Sequence, residues 1–419
     1  MLGLLAIGLA VLIYGLASAR LRYSMLTPPM AFVLFGLAIG AGGLDLMETP
    51  VSHGAIHTLA EITLALVLFS DAARMDLRML LRDHDVPRRM LLVGLPLTIA
   101  LGTIVAACFP LGLGWVEAAL LAAVLAPTDA ALGQAVVSNR DVPVRIRQAL
   151  NVESGLNDGI AVPLVYLFAA LLTAEATIEA AGDLFSFAAR QLALGPIAGL
   201  AVGAIVGCLA LRAHQKSWME DAFEGPMVLA TLAAAFALAE SIGGNGFISV
   251  FVAGLIFGYL LDGQRKFILE FAEAEGQMLV LLAFLIFGAV MLPELAGHVT
   301  WPMLLYAILS LTIIRMVPVA LSLIGIGLST PTVIFLGWFG PRGLASILFG
   351  LLVLEQHNSG TTKTILTTAV LTIVLSVFAH GATAAPLAQW YARRAERLGD
   401  CPDNETVPEM PTRISRKVS

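Results

Sequence analysis

Residues Asn151–Leu164 read NVESGLNDGIAVPL. The flanks of this stretch are apolar enough for lipid, yet Glu153, Ser154, Asn157 and Asp158 fall within six positions. At the usual helical period Glu153 stacks over Asn157 and Ser154 over Asp158, whereas Glu153 and Asp158 diverge by about 140° around the axis. Two carboxylates facing different ways from one apolar helix need different partners and can have different jobs, because a charge inside a bilayer is costly and usually functional.

Outward from this stretch, the 419-residue chain is 58% hydrophobic and only 13% charged, with a mean hydropathy of +0.88. Soluble domains carry roughly a quarter charged residues. The chain is therefore read as an integral membrane protein. Apolar stretches recur at 2–18, 28–46, 56–73, 90–110, 116–137, 146–173, 185–211, 226–241, 245–261, 276–292, 301–326, 331–355 and 364–389. They are too long and too uniformly apolar for barrel strands. The expected fold is an all-α polytopic membrane protein with about thirteen transmembrane helices.

Charge placement orients these spans, since short cytoplasmic loops collect Lys and Arg. Arg20 and Arg22 follow the first span; Arg74, Arg78, Arg82, Arg88 and Arg89 the third; Arg140, Arg145 and Arg147 the fifth. Arg212 and Lys216 follow the seventh, Arg265 and Lys266 the ninth, and Arg393, Arg394, Arg397, Arg413, Arg416 and Lys417 the last. That places 20 of the 24 basic residues on one side. The N-terminus is expected outside and the C-terminus in the cytoplasm, with residues 391–419 a short disordered tail. Arg190 and Lys363 lie near span ends, where long side chains can snorkel. Arg315 and Arg342 lie deep within spans and need an explanation. Trp115, Trp218, Trp301 and Trp390 sit where an interfacial aromatic belt would place them. Cys108 and Cys208 read as apolar filler and Cys401 as a tail residue. The net charge of −6 says little about partners; membrane lipid is expected, nucleic acid and cofactors are not.

An odd span count permits two inverted six-helix repeats, spans one to six and eight to thirteen, joined by the seventh. The fifth span of each half carries a helix-breaking cluster, APTDA at 126–130 and FGPRG at 339–343. Such breaks persist in a membrane only where protein or a water-filled cavity satisfies the freed backbone groups. Helical rise places Asp129, Arg315, Asp158 and Arg342 all ~17–21 Å into their spans, near the middle of a ~30 Å layer. Glu153 or Asp158 is expected to meet Arg315 or Arg342, because a buried carboxylate is costly unless paired. The other carboxylate is then poised to hold a cation or a proton. A nearby cation favours its ionised form and expels the proton, so one group carries either ligand in turn. Oxygen atoms of Asp158, Ser154, Asp129 and Thr128 and the carbonyls freed by Pro127 are the candidate ligands for a hard monovalent cation.

APTDA, then NVESGLNDG, then GPRG in a late span resembles the NhaP-type bacterial sodium/proton antiporters, kin of the eukaryotic sodium/proton exchangers. The resemblance covers nearly all of residues 1–390 and implies a homodimeric, electroneutral exchanger of Na⁺, also Li⁺ or K⁺, for H⁺ in the cell (inner) membrane. By that resemblance a core of 90–173 and 301–389 works against a dimerisation scaffold of 2–73 and 226–292, with 185–211 as linker helix. It makes Asp158 the carrier, completed by Thr128, Asp129 and Ser154, and pairs Glu153 with Arg315 as a structural ion pair. Asn157 and Pro127 would support the helix crossing, and Arg342 would satisfy helix ends at the break. TDAA departs from the Pro that many relatives carry just after TD or TDA. A cation channel would show flux without proton countertransport. An intramembrane aspartyl protease built on Asp129 and Asp158 would lack its Gly-x-Gly-Asp pattern, and it leaves Arg315 unexplained. Glu240 is expected at a membrane interface, Asn245 as a helix cap, and none of the seven His as a sensor.

Overall fold

The computed structural model describes residues 2–21, 25–46, 53–74, 85–129, 132–137, 139, 141–173, 178–261, 266–295, 297–356, 360–398 and 403. Arg22, Arg78, Arg82, Ala130, Ala131, Arg140, Arg265, Cys401, Arg413, Arg416 and Lys417 lie outside them. Among the described residues all regular structure is helical. The helices are α1 (Leu2–Leu21), α2 (Pro28–Ile39), α3 (His53–Arg74), α4 (Asp85–Cys108), α5 (Trp115–Leu125), α6 (Gln134–Val137), α7 (Val144–Thr173) and α8 (Ile178–Gln215). They continue as α9 (Glu224–Ser241), α10 (Gly246–Leu260), α11 (Lys266–Ile286), α12 (Trp301–Ser322), α13 (Thr330–Trp338), α14 (Leu344–Gln356) and α15 (Gly360–Leu398). Every apolar stretch of the sequence falls on a helix. The fifth stretch splits into α5 and α6 and the twelfth into α13 and α14, at the two clusters that carry Pro127 and Pro341. Six of the helices are individually long and apolar enough to cross a membrane.

The chain divides into two compact units, one of Met1–Ala60, Asp85–Ser154 and Val280–Ser419, the other of Glu61–His84 and Gly155–Leu279. In the second unit α8 presents Gly195, Gly199 and Gly203 at every fourth position to Asn245, which precedes α10, and to Ser249 and Ala253 of α10. Small residues at that spacing let two backbones approach, which is how membrane helices gain packing energy without a hydrophobic drive. A methyl group at Gly199 would overlap the Ser249 carbonyl oxygen. Gly199→Leu is therefore expected to destabilise the protein by more than about 2 kcal/mol, read as a lower melting temperature in detergent; an unchanged value would show that the helices can separate at no cost. Asn245 caps α10, its side chain accepting from the Ile248 amide at 3.0 Å.

In the first unit the helices around both breaks share an apolar cluster that includes Val136, Ile146, Val319, Phe335, Phe339 and Tyr391. Tyr391 stacks on Phe335 with ring centroids 4.2 Å apart. This contact explains a departure from expectation. Residues 391–398, expected to begin a disordered tail, are helical through Leu398, because Tyr391, Ala392 and Ala395 bury against the cluster while Arg393 and Arg394 face out. Asp403 is also buried, accepting from the Ser329 amide at 3.1 Å.

The structure also places several single residues. Arg74 and Arg147 are not loop residues; each is in a terminal turn of its helix and buried, Arg74 bonding Ser70 Oγ and Arg147 the Val142 carbonyl. Arg190 lies inside the helix α8 but at the start of its apolar span Ala189–Gln215, as expected, exposed and directed at the Ser186 carbonyl. Cys108 and Cys208 are exposed on their apolar helices. Glu240 accepts from the Gly246 amide at 2.9 Å and so helps to fix the start of α10. The helix at 301–326 ends at Ser322 and is interrupted at Thr312, whose φ of −114° and ψ of −95° lie outside the helical range.

Candidate functional site

Each broken helix leaves a C-terminal end with unused carbonyls and an N-terminal end with unused amides. The first unit satisfies them by letting the breaks serve each other. The Asp129 amide donates to the Pro341 carbonyl at 2.8 Å, and the Asp129 carboxylate accepts from the Leu344 amide at 2.9 Å. Arg342 Nη1 donates to the carbonyls of Ala126 at 2.5 Å and Pro127 at 3.2 Å. An anion thus sits at the start of α14 and a cation at the end of α5, each at the helix end whose partial charge it complements. Gly343 has to be glycine here, since a Cβ would run into the Asp129 carboxylate.

Arg315 supplies the third charge. It stands in the first turn after the Thr312 interruption, the end of a helix where a cation is least welcome. Its Nη1 and Nη2 meet Glu153 Oε1 at 2.5 Å and Oε2 at 2.7 Å, a two-point contact between side chains 1% and 2% exposed. Gly340 of the second break leaves room for the guanidinium, because a Cβ would meet Arg315 Nε. Both buried arginines of the crossing therefore have acceptors, and these are Glu153 and the backbone of the first break.

The hydroxyls of Thr128 and Ser154 lie 3.0 Å apart, both buried. On α7 the next turn carries Asp158, 7% exposed, and before it Asn157, 1% exposed. Pro163, inside α7, has no amide to offer the Gly159 carbonyl, so an oxygen next to Asp158 lacks its helical donor. The structure thus brings together Thr128 with Ser154, Glu153 with Arg315, and Asp129, Pro127 and Arg342 across the breaks. It shows Asp129 engaged at a helix end, a task the sequence did not suggest.

Three residues of α15 were missed. Ser376 Oγ accepts from the Arg342 amide at 2.6 Å, His380 Nε2 meets the Trp338 carbonyl at 2.9 Å, and Thr383 accepts from Trp338 Nε1 at 3.1 Å. A signal was available: Thr364, Thr368, Thr372, Ser376 and His380 recur at every fourth position of an otherwise apolar span, which is one face of a helix.

A chain whose described regular structure is all helical, with long apolar spans, two interlocked helix breaks and buried ionisable groups, is a polytopic membrane protein built around a buried polar centre. The sequence profile described as "Sodium/hydrogen exchanger, transmembrane" matches residues 7–390, and the chain belongs to that family, one of transporters rather than enzymes. The "K(+)/H(+) antiporter NhaP" of Alkalimonas amylolytica is 27% identical over 410 residues, covering 92% of this chain and 67% of the relative. The "K(+)/H(+) antiporter NhaP2" of Shewanella sp. (strain MR-4) is 25% identical over 377 residues, covering 89% and 64%. The chain thus spans about two thirds of the length of these relatives. The structure of the sodium proton antiporter MjNhaP1 from Methanocaldococcus jannaschii at pH 8 has the same fold, with a TM-score of 0.72 at 21% identity over 94% of this chain and 100% of that one.

Proposed function

We propose that the protein is a secondary active antiporter that exchanges a monovalent cation for H⁺ across the cell (inner) membrane by alternating access. The observation that carries this reading is on α7, where a buried Asp158 carboxylate follows by one turn the Ser154 hydroxyl in contact with Thr128 of the first break. Carboxylate, hydroxyl and carbonyl oxygens are the donors a hard cation selects. Asp158 is the group that carries cation and proton in turn. Na⁺ is the first candidate and Li⁺ and K⁺ the others, K⁺ being named in the relatives and sodium in the structural neighbour. Thr128 and Ser154 complete the cation site with Asp129. Asn157 and Pro127 support the crossing.

Formal charge favours electroneutral exchange. Arg315 and Arg342 offset Glu153 and Asp129, and Asp158 adds one negative charge that one cation or one proton neutralises. The remaining organisation follows the family resemblance: thirteen spans in two inverted repeats, the N-terminus outside, the C-terminus cytoplasmic, a core of 90–173 and 301–389, a scaffold of 2–73 and 226–292, the linker 185–211, and a homodimer in lipid.

The test is cation-driven pH change in proteoliposomes, with Na⁺, Li⁺ and K⁺ compared at free and clamped membrane potential. Proton movement driven by the cation and indifferent to potential is expected. Cation flux without proton countertransport would favour a channel instead. Competition for one carboxylate adds a sign: as pH falls and the site becomes mostly protonated, the apparent KM for the cation rises by about tenfold per pH unit. A KM flat across that range would separate the two sites.

A further inference from the structure

The second break is held from the side by α15. The last carbonyl of α13, at Trp338, faces His380 Nε2 at 2.9 Å, and on the far side of the break the Arg342 amide donates to Ser376 Oγ at 2.6 Å. Ser376 Oγ and His380 Nδ1 are themselves 3.1 Å apart, and both side chains are fully buried. One arrangement of protons satisfies every group. The ring is neutral with its proton on Nε2 and donates to Trp338; Nδ1 accepts the Ser376 hydroxyl proton; the hydroxyl oxygen accepts from Arg342. The Trp338 ring, 4.9 Å from the imidazole, is pinned by its own bond to Thr383.

We propose that His380, acting through Ser376, is a positioning residue of the exchange site, clamping the two ends of the second break so that Arg342 holds the first break in register. The link runs from His380 to Ser376, to the Arg342 backbone, through its guanidinium to the Ala126 and Pro127 carbonyls, and so to Thr128 beside Ser154. Among the described residues, the charged groups acting on the ring from neighbouring elements are Arg342 and Arg315. On its own helix the row it continues, Thr368, Thr372 and Ser376, is uncharged. His380 is thus assigned a fixed hydrogen-bonding role and not that of a proton sensor. The inference rests on the antiport reading, because what it positions is the proposed cation site.

The test uses the full chain in proteoliposomes with Na⁺, or with whichever cation the wild type exchanges, and compares His380→Phe, His380→Gln and Ser376→Ala. Phe fills the space and removes both hydrogen bonds, so the apparent KM for the cation is expected to rise about tenfold, with a smaller change in maximal rate. Gln keeps an N–H for the Trp338 carbonyl and should stay within about threefold of wild type. Ser376→Ala should move KM in the same direction as Phe. A second readout is independent of transport: nitrogen NMR of histidine-labelled protein should show one resonance pair, absent from His380→Gln, with Nε2 protonated and Nδ1 not. It should be constant over roughly pH 6 to 8, where free imidazole titrates.

A wild-type KM in His380→Phe would overturn the proposal, as would equal losses in the Phe and Gln variants with no KM change. If the Phe variant fails to fold, an unshifted KM in Ser376→Ala is decisive against it. A ring that titrates, gaining a proton on Nδ1 that donates a hydrogen bond to the Ser376 carbonyl 3.1 Å away, would also overturn it. A wild type without any exchange would instead sink the antiport reading itself. That outcome is distinguishable from a wild type that exchanges normally alongside an unaffected Phe variant.

Discussion

Asp158→Asn is expected to abolish cation-driven proton movement, lowering exchange by at least about a hundredfold. The substitution changes almost nothing but charge: Asn has the shape of Asp and can accept and donate hydrogen bonds at a position only 7% exposed on the continuous helix α7. Removing one partner of a buried charge interaction costs about 3–5 kcal/mol, here the interaction with the bound cation. The proton limb fails for the same reason, since an amide does not titrate. Two measurements check this. Exchange in proteoliposomes should drop to background while the protein stays folded, and cation binding to the detergent-solubilised variant should disappear with it. Asp129→Asn is the informative contrast. An Asn side-chain oxygen can still accept from the Leu344 amide, the bond Asp129 makes at 2.9 Å, so this variant should keep part of its activity. Full exchange by Asp158→Asn would remove Asp158 from the carrier role, and a loss in Asp129→Asn as deep as in Asp158→Asn would make the two carboxylates equal partners.

That contrast marks how far the sequence reaches. Glu153, Asp158, Arg315 and Arg342 were legible because a charge inside an apolar run has no innocuous explanation in a bilayer. The breaks were legible because Pro and Gly interrupt helices locally. The Glu153–Arg315 pair and the place of Arg342 at the break were expected through the family resemblance, whereas the partner of Asp129 was not legible. Asp129 looked like an ion ligand because carboxylates bind cations, and only the crossing of the two breaks shows its carboxylate at the start of α14. The pattern on α15 was overlooked for the opposite reason: each Thr, Ser or His is unremarkable in a membrane helix, and the information lies in the repeat of four. Neither Pro nor Gly marks the interruption at Thr312. The helical residues beyond 390 were hidden by composition, three buried apolar side chains being outvoted by the arginines between them.

Arg315→Leu is expected to destabilise the protein severely, by about 3–5 kcal/mol, because it strands the Glu153 carboxylate in the interior. Glu153 is 2% exposed and both its oxygens are used by Arg315, so loss of the guanidinium leaves a charge that water cannot reach. The informative experiment is the double replacement. Taking two charges out of water costs nearly as much as their attraction returns, so an apolar pair of similar volume can match or exceed the stability of a buried ion pair. Glu153→Leu combined with Arg315→Met should therefore recover most of the stability lost in Arg315→Leu, read as the melting temperature and the monodisperse fraction in detergent. The single Glu153→Leu variant, which strands Arg315 beside Gly340, should be as damaged as Arg315→Leu. If the double variant is as unstable as the worse single one, the two residues do not act as a pair in folding. A double variant that is stable yet transports poorly would separate two roles of the same contact. Its energetic part would be replaceable by apolar packing, while its geometric part, holding α12 at the second break through Arg315 and Gly340, would need the ions.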